Sequence, residues 1–141
     1  MKKILIFEYI TGGGLIDKKI SHTLSDEANI ILGSLIDNPS VITHFFCDYR
    51  NKHKNHKNSI IVTPQNKNII YDSNLINSYD YFLPICPETD LIFYKYIKKI
   101  HSSVKNMNVS SLNTLLVTSD KYLLKSICKK NNIPNPDSFI S

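Results

Sequence analysis

The sequence predicts an α/β fold built on a mainly parallel, doubly wound sheet, and three observations support that prediction. Short apolar runs rich in β-branched and aromatic residues recur along the chain and have the length of buried strands. Amphipathic helical spacings follow two of these runs after short connections. Three of the four glycines stand together directly after the first apolar run. Strands that alternate with helices over short connections favour a parallel sheet with helices on both faces.

The size and composition fit a single small protein in a reducing compartment. The chain has 141 residues, and its three cysteines lie far apart without a signal peptide before them, so we expect reduced thiols in the cytoplasm. No run of about eighteen apolar residues occurs, so no membrane span is expected. The net charge is +5, but the basic segment 50–57 contains no aromatic residue and is more typical of a solvated loop than of a nucleic-acid surface.

The first half of the chain begins with a strand over residues 3–8. Apolar residues recur at threes and fours between Ser21 and Asp37, which predicts a helix. Ser21 or Ser25 is the expected N-cap, and the Asn38-Pro39 pair ends the helix. The β-branched and aromatic run Val41–Cys47 predicts the second strand.

The middle of the chain carries weaker strand signals. Ser59–Thr63 and Asn68–Tyr71 are separated by a turn, so we expect a hairpin or an edge position for them. A short helix near Leu75 precedes the strand Tyr81–Cys86, in which Pro84 indicates a strand end or a sheet edge. Helical spacing then predicts a helix over residues 89–102.

The last thirty residues change in character. Ser110–Thr118 and Ser119–Cys128 are predicted as two short helices, the second capped by Ser119. Pro134 and Pro136 prevent further helix. The Phe139-Ile140 pair has the character of the opening of another strand.

Two polar corners follow predicted strands. The first is the glycine loop, Gly12 to Gly14, whose backbone N–H groups could meet an anion. The second is the segment Pro87–Asp90. Because parallel strands end at the same edge of a sheet, we expect both corners at one rim, jointly cupping a negatively charged group. The alternative for the glycines is a tight strand-to-helix turn without a ligand.

Three motifs in this order resemble the N-terminal region of ATP-grasp ligases. Residues 7–14 read Phe-Glu-Tyr-Ile-Thr-Gly-Gly-Gly, residues 87–90 read Pro-Glu-Thr-Asp, and Ser-Asp-Lys at 119–121 is followed by Ile-Pro-Asn-Pro at 133–136. The likeness covers essentially the whole chain. The opening motif is similar in particular to the branch that includes archaeal tyramine–glutamate ligases.

The resemblance implies a Rossmann-like pre-ATP-grasp domain over residues 1–109. Residues 110–141 would then be a helical linker and the start of an ATP-grasp domain that lies outside this chain. Such ligases use ATP and Mg²⁺ to convert a carboxylate into an acyl phosphate, which an amine attacks. We expect this chain to form the substrate-side part and to be inactive alone, because its nucleotide and Mg²⁺ sites are incomplete. The alternatives are a stand-alone module that binds a small anion or nucleotide and, more weakly, a nucleic-acid-binding domain that uses residues 50–57.

The resemblance also implies roles for individual residues, while no catalytic or metal-binding residue is assigned. A contact to ATP phosphate is implied for Lys121, and substrate contacts are implied for Glu8, Thr11, Gly12, Gly13, Gly14 and Glu88. Simpler roles remain open: Glu8 could pair with Lys3, Glu88 could complement a helix dipole, and Lys121 could be a surface lysine. The identity of the acid and the amine, and the possibility of a homodimer, also stay open.

Overall fold

The computed structural model describes residues 1–135, and these form a four-stranded, all-parallel sheet with helices on both faces. The predicted fold class is therefore confirmed. Short 3₁₀ turns occupy Lys52–Asn55, Lys67–Tyr71 and Thr89–Leu91. In chain order the elements are β1 (Lys3–Glu8), α1 (His22–Ile36), β2 (Ile42–Asp48), β3 (Ser59–Val62), α2 (Ser73–Asn77), β4 (Tyr81–Ile85), α3 (Ile92–Ile100), α4 (Leu112–Ser119) and α5 (Lys121–Lys130).

The sheet has the strand order β3-β2-β1-β4. The chain builds outward from β1 to β2 and β3, and then returns to place β4 on the other side of β1. The order of the strands thus reverses beside β1, and crevices at such reversals are where open parallel sheets bind ligands. The register sets Glu8 of β1 opposite Ile85 of β4. The loops that follow these two strands therefore leave the sheet at the same rim, formed by the carboxyl ends of the strands.

Both faces of the sheet are covered at its centre, which explains the continuous apolar runs Ile4–Phe7 in β1 and Phe45–Cys47 in β2. Successive side chains of β1 point to opposite faces. Leu5 and Phe7 belong to the larger core with α3, whereas Ile6 packs with Leu32 of α1 in a smaller core. The ring of Phe7 stacks on that of Tyr96 with 4.5 Å between the centroids.

The strand predicted at Asn68–Tyr71 is wrong, because this segment is part of the 3₁₀ turn Lys67–Tyr71. The side chain of Asn66 reverses the chain here: its Oδ1 accepts from Thr63 N at 2.6 Å, and its Nδ2 donates to Ile61 O at 3.0 Å. The apolar residues of the turn then pack into the larger core instead of joining the sheet. No hairpin forms, since β3 pairs in parallel with β2, but β3 and β4 do occupy the two edges as predicted.

Two helix boundaries also differ from the prediction. The helix expected from Thr89 begins only at Ile92, because Asp90 and Leu91 adopt left-handed conformations with φ of 55° and 57°. The cap of α5 is Asp120 instead of Ser119: Asp120 Oδ1 accepts from Tyr122 N at 2.9 Å and from the next backbone N–H at 3.0 Å.

None of the helices within residues 1–135 combines the length and the apolar character that crossing a membrane requires. The division at residues 109 and 110 and the cytoplasmic location stay predictions. The strand opening at Phe139-Ile140 lies outside the described residues.

Candidate functional site

The glycine loop is closed by a carboxylate of its own chain. Glu8 is only 4% exposed, and its Oε2 accepts from both Thr11 N and Thr11 Oγ1 at 2.7 Å. Its Oε1 accepts from Ile10 N at 3.2 Å. Charge-assisted bonds of this kind are among the stronger hydrogen bonds in proteins. Glu8 does not pair with Lys3; its carboxylate occupies the N–H groups that an external anion would use at the start of this loop.

The glycines themselves are explained by close packing. Gly12 N donates to Glu8 O at 2.7 Å, and Gly14 N donates to Tyr9 O at 2.9 Å, so both groups are used by the fold. Gly13 has a φ of 94°, and a Cβ built there would lie 2.6 Å from Cγ1 of Val62. The loop therefore rests directly on β3. Contact between these glycines and a substrate stays a prediction.

An ion pair between the buried Asp48 and the more exposed Arg50 fastens the far end of the loop, and the sequence reasoning missed it. Asp48 is 1% exposed and bonds the Arg50 guanidinium twice, from Nε to Oδ1 at 2.9 Å and from Nη2 to Oδ2 at 2.6 Å. Arg50 also donates to Leu15 O at 3.0 Å and to Lys18 O at 2.9 Å. The hydrogen bond to Asp48 raises the pKa of Arg50. Arg50 is thus held by the fold, although it begins the basic segment 50–57.

The signal for this pair was present in the sequence. Arg50 is the sole arginine of the chain and lies two residues after the acid that ends β2. Asp48 N also donates to Thr11 O at 2.7 Å, which joins the end of β2 to the glycine loop. The two carbonyls that Arg50 also binds lie more than thirty positions away in the sequence, so these further partners are visible only in the tertiary structure.

Clefts lie on both sides of the fastened loop. One of about 370 Å³ lies at the start of α1 and includes Lys19, His22 and the Asp48–Arg50 pair among its lining residues. On the other side two clefts of about 240 and 230 Å³ adjoin, since both are lined by Tyr71 and Lys99. Gly13 and Gly14 line the first of these two, so part of the glycine loop does border an open space.

The corner after β4 is built differently. Tyr9 N donates to Ile85 O at 2.8 Å, which keeps the two corners side by side at the same rim, as the sequence predicted. Glu88 is exposed and its side chain caps no helix N–H. The left-handed turn at Asp90 is held by Lys95, whose Nζ donates to Asp90 O at 2.9 Å. The joint binding of an anion by the two corners stays a prediction.

The described residues do not by themselves fit ATP and Mg²⁺. Lys121 is exposed in the first turn of α5, and the N–H groups of that turn are already capped by Asp120. Within residues 1–135 no group of three or more His, Cys, Asp or Glu side chains is arranged to hold a metal ion. Among the described residues, Lys121 is thus the single candidate contact to a nucleotide that the sequence indicated, and one lysine does not make a nucleotide site.

These features define a class of protein. A four-stranded parallel sheet, a closed loop after β1 and helices beyond β4 make up a chain whose fold is similar to that of an ATP-grasp superfamily protein from Archaeoglobus fulgidus. The two structures align over 92% of this chain and 40% of that chain, with a TM-score of 0.68 and 22% sequence identity. At this identity the likeness establishes the fold.

The sequence likeness is to ligases. The chain is 30% identical to the tyramine–L-glutamate ligases of Methanocaldococcus fervens and Methanocaldococcus jannaschii, in each case over 96% of its own length. The alignments cover 48% and 45% of these relatives, so the chain spans about half their length. No family model matches the sequence. The resemblance to part of an ATP-grasp ligase is therefore confirmed.

Proposed function

We propose that this chain is the substrate-side part of an ATP-dependent carboxylate–amine ligase. The observation that carries the proposal is the 30% identity to two tyramine–L-glutamate ligases along 96% of the chain. The parallel sheet supports it, because the two polar corners end at the rim where such sheets receive ligands. The acyl-phosphate route that the resemblance implies is part of the proposal.

The contribution of this part is positioning. A ligase has to hold a carboxylate and an amine in reacting geometry, and preorganised geometry can supply a large share of the rate enhancement. Glu8 and Thr11 keep the glycine loop rigid, so Gly13 and Gly14 offer a fixed wall to a substrate. The exposed carboxylate of Glu88 is suited to meet the ammonium form of an amine before it reacts.

ATP and Mg²⁺ belong to the remainder of the ligase in this proposal. The relatives are about twice as long as this chain, and we assign the nucleotide and metal sites mainly to the half that the chain does not match. Lys121 then contributes a point charge toward phosphate from this side. The 141-residue chain alone is expected to be inactive.

A chimeric ligase tests the proposal. The chain replaces the matching half of the Methanocaldococcus jannaschii relative, and phosphate release from ATP is measured against a panel of amines and amino acids. We expect release that requires both an acid and an amine, and no release from either half alone. A folded chimera that binds ATP but releases no phosphate with any pair would contradict the proposal, as would ATP hydrolysis by the isolated chain that Lys121→Ala abolishes.

The stand-alone binding module remains the second candidate. It is favoured by the clefts beside Tyr71 and Lys99, which are open in the isolated chain. Binding of a small anion by the isolated chain, combined with an inactive chimera, would favour this candidate over the ligase.

A further inference from the structure

The two adjoining clefts form a continuous surface with an unusual set of side chains. We call it the Tyr71–Lys99 groove and define it by Tyr9, Tyr71, Ile92, Lys95, Tyr96 and Lys99. The first cleft continues it toward Gly13 and Gly14. Three tyrosine rings and two ammonium groups therefore converge beside the glycine loop.

Lys99 is held in place by an aromatic ring. Its Nζ lies 3.4 Å from the centroid of the Tyr71 ring, so the ring face fixes the ammonium by a cation–π contact. Within residues 1–135 Lys99 forms no ion pair, whereas Lys67 at the same cleft pairs with Asp17 at 2.5 Å. Lys95 donates to the uncharged carbonyl of Asp90 and, within the same residues, forms no ion pair either.

The tyrosines supply a rigid apolar wall and hydrogen-bond donors. Tyr96 is stacked on Phe7, and its hydroxyl donates to Ile70 O at 2.6 Å, so its ring is fixed. The hydroxyls of Tyr9 and Tyr71 have no hydrogen-bond partner in the part of the chain that the structure describes. Burial raises the pKa of both phenols, so each stays protonated and can donate.

The charge of the groove selects its ligand. The single carboxylate among the residues that line the two clefts is Asp17, and Lys67 neutralises it. Two uncompensated ammonium groups repel an amine and attract an anion. The two adjoining clefts measure about 240 and 230 Å³, which limits the ligand to a small molecule.

We propose that the Tyr71–Lys99 groove binds an organic carboxylate with an apolar body. The carboxylate is met by the ammonium groups of Lys95 and Lys99 and by the Tyr71 hydroxyl. The apolar body lies against Tyr9, Ile92 and Tyr96. This site stands on the geometry of the isolated chain and does not depend on whether the chain acts in a ligase.

The first arm of the test compares ligands that differ in one property. The isolated chain is titrated by NMR with 3-phenylpropionate, with 2-phenylethylamine and with inorganic phosphate. We expect saturable binding of the carboxylate with shifts of the Tyr9, Tyr71 and Tyr96 resonances, and at least tenfold weaker binding of the amine and of phosphate. Equal binding of the amine would overturn the charge argument, and equal binding of phosphate would overturn the apolar part of the site.

The second arm compares two adjacent lysines. Lys99→Gln should weaken 3-phenylpropionate binding about tenfold by removing one charged contact. Lys98→Gln is the matched control, because Lys98 is on the same helix, lies 5.6 Å from the Tyr94 ring and does not line the groove. Both lysines are exposed, so neither change should alter the circular dichroism spectrum. The same affinity in both variants would overturn the proposal.

Discussion

The two corners at the rim of the sheet differ in how they are held. The glycine corner after β1 is buried and fastened at both ends, by Glu8 and by the Asp48–Arg50 pair. The corner after β4 is exposed from Glu88 to Asp90 and is held by a few backbone contacts and by the Lys95 side chain. It also contains two left-handed residues without glycine, a conformation that costs about 1–2 kcal/mol per residue.

The difference shows that the most distinctive sequence motif is not the part of the site that is most open to a ligand. The glycine stretch is the most distinctive part of the sequence, yet most of its polar groups are satisfied within the loop. A protein carboxylate takes the place of an external anion there. Side chains that can still meet a ligand lie beside the loop, in the Tyr71–Lys99 groove and at Glu88.

The largest effect is expected from Gly13→Ala. The new Cβ would lie 2.6 Å from Val62 Cγ1 at a φ of 94°, so strain and overlap should lower the free energy of unfolding by about 2–4 kcal/mol. Chemical denaturation measures the change.

Gly33→Ala is the matched control for that prediction. Gly33 lies within α1, and a Cβ added there would meet no atom within 4 Å, so alanine should stabilise the protein by about 0.5–1 kcal/mol. Equal effects at the two glycines would show that the loop is not packed as tightly as described.

The next effect compares the two corners directly. Glu8→Gln removes the charge from three hydrogen bonds and should destabilise the protein by about 1.5–3 kcal/mol. Glu88→Gln changes an exposed side chain and should alter stability by less than about 0.5 kcal/mol. Thermal and chemical unfolding of both variants check this, and a larger effect at Glu88 would reverse the comparison.

A smaller effect, measured per unit of pH, is expected from the thiols of the buried Cys47 and the partly buried Cys86. Burial raises the pKa of Cys47 to about 12, and burial together with the charge of Glu8 raises the pKa of Cys86. Above the ordinary thiol pKa the unfolded chain loses protons that the folded chain keeps, so stability falls as the pH rises. Each thiol should contribute up to about 1.4 kcal/mol per pH unit in that range.

Denaturation at pH 8, 9 and 10 measures this slope. Cys47→Ala should lower stability at pH 8 but reduce the slope between pH 9 and 10. The tyrosines whose pKa burial raises contribute to the slope in both proteins, so their contribution cancels in the comparison. An unchanged slope would indicate that Cys47 is accessible to water.

The sequence predicted the elements whose signals are local. The apolar runs of β1 and β2 and the Ser21 cap of α1 follow from nearby residues alone, and Ser21 Oγ does accept from Leu24 N. The Lys67–Tyr71 turn was missed because Asn66 reverses the chain through its side chain, which the apolar pattern does not show.

The site was less predictable for two reasons. Some of its contacts join residues far apart in the sequence, and Glu8 bonds to its own loop and not to a ligand. The groove joins Tyr71 to Lys99, twenty-eight positions later by their residue numbers, and neither residue belongs to a motif. The sequence predicted a substrate contact for Glu8. Its hydrogen bonds to the N–H groups of Ile10 and Thr11 depend on the path of the loop backbone, which the sequence pattern does not give.

The central claim is that Glu8 closes the glycine loop in the absence of any ligand. Amide hydrogen exchange at Ile10, Thr11, Gly12 and Gly14 tests it most directly, measured by NMR on the isolated chain with and without saturating 3-phenylpropionate. We predict slow exchange that the acid leaves unchanged and that Glu8→Gln accelerates. Fast exchange in the isolated chain that becomes slow only when the acid is added would contradict the claim.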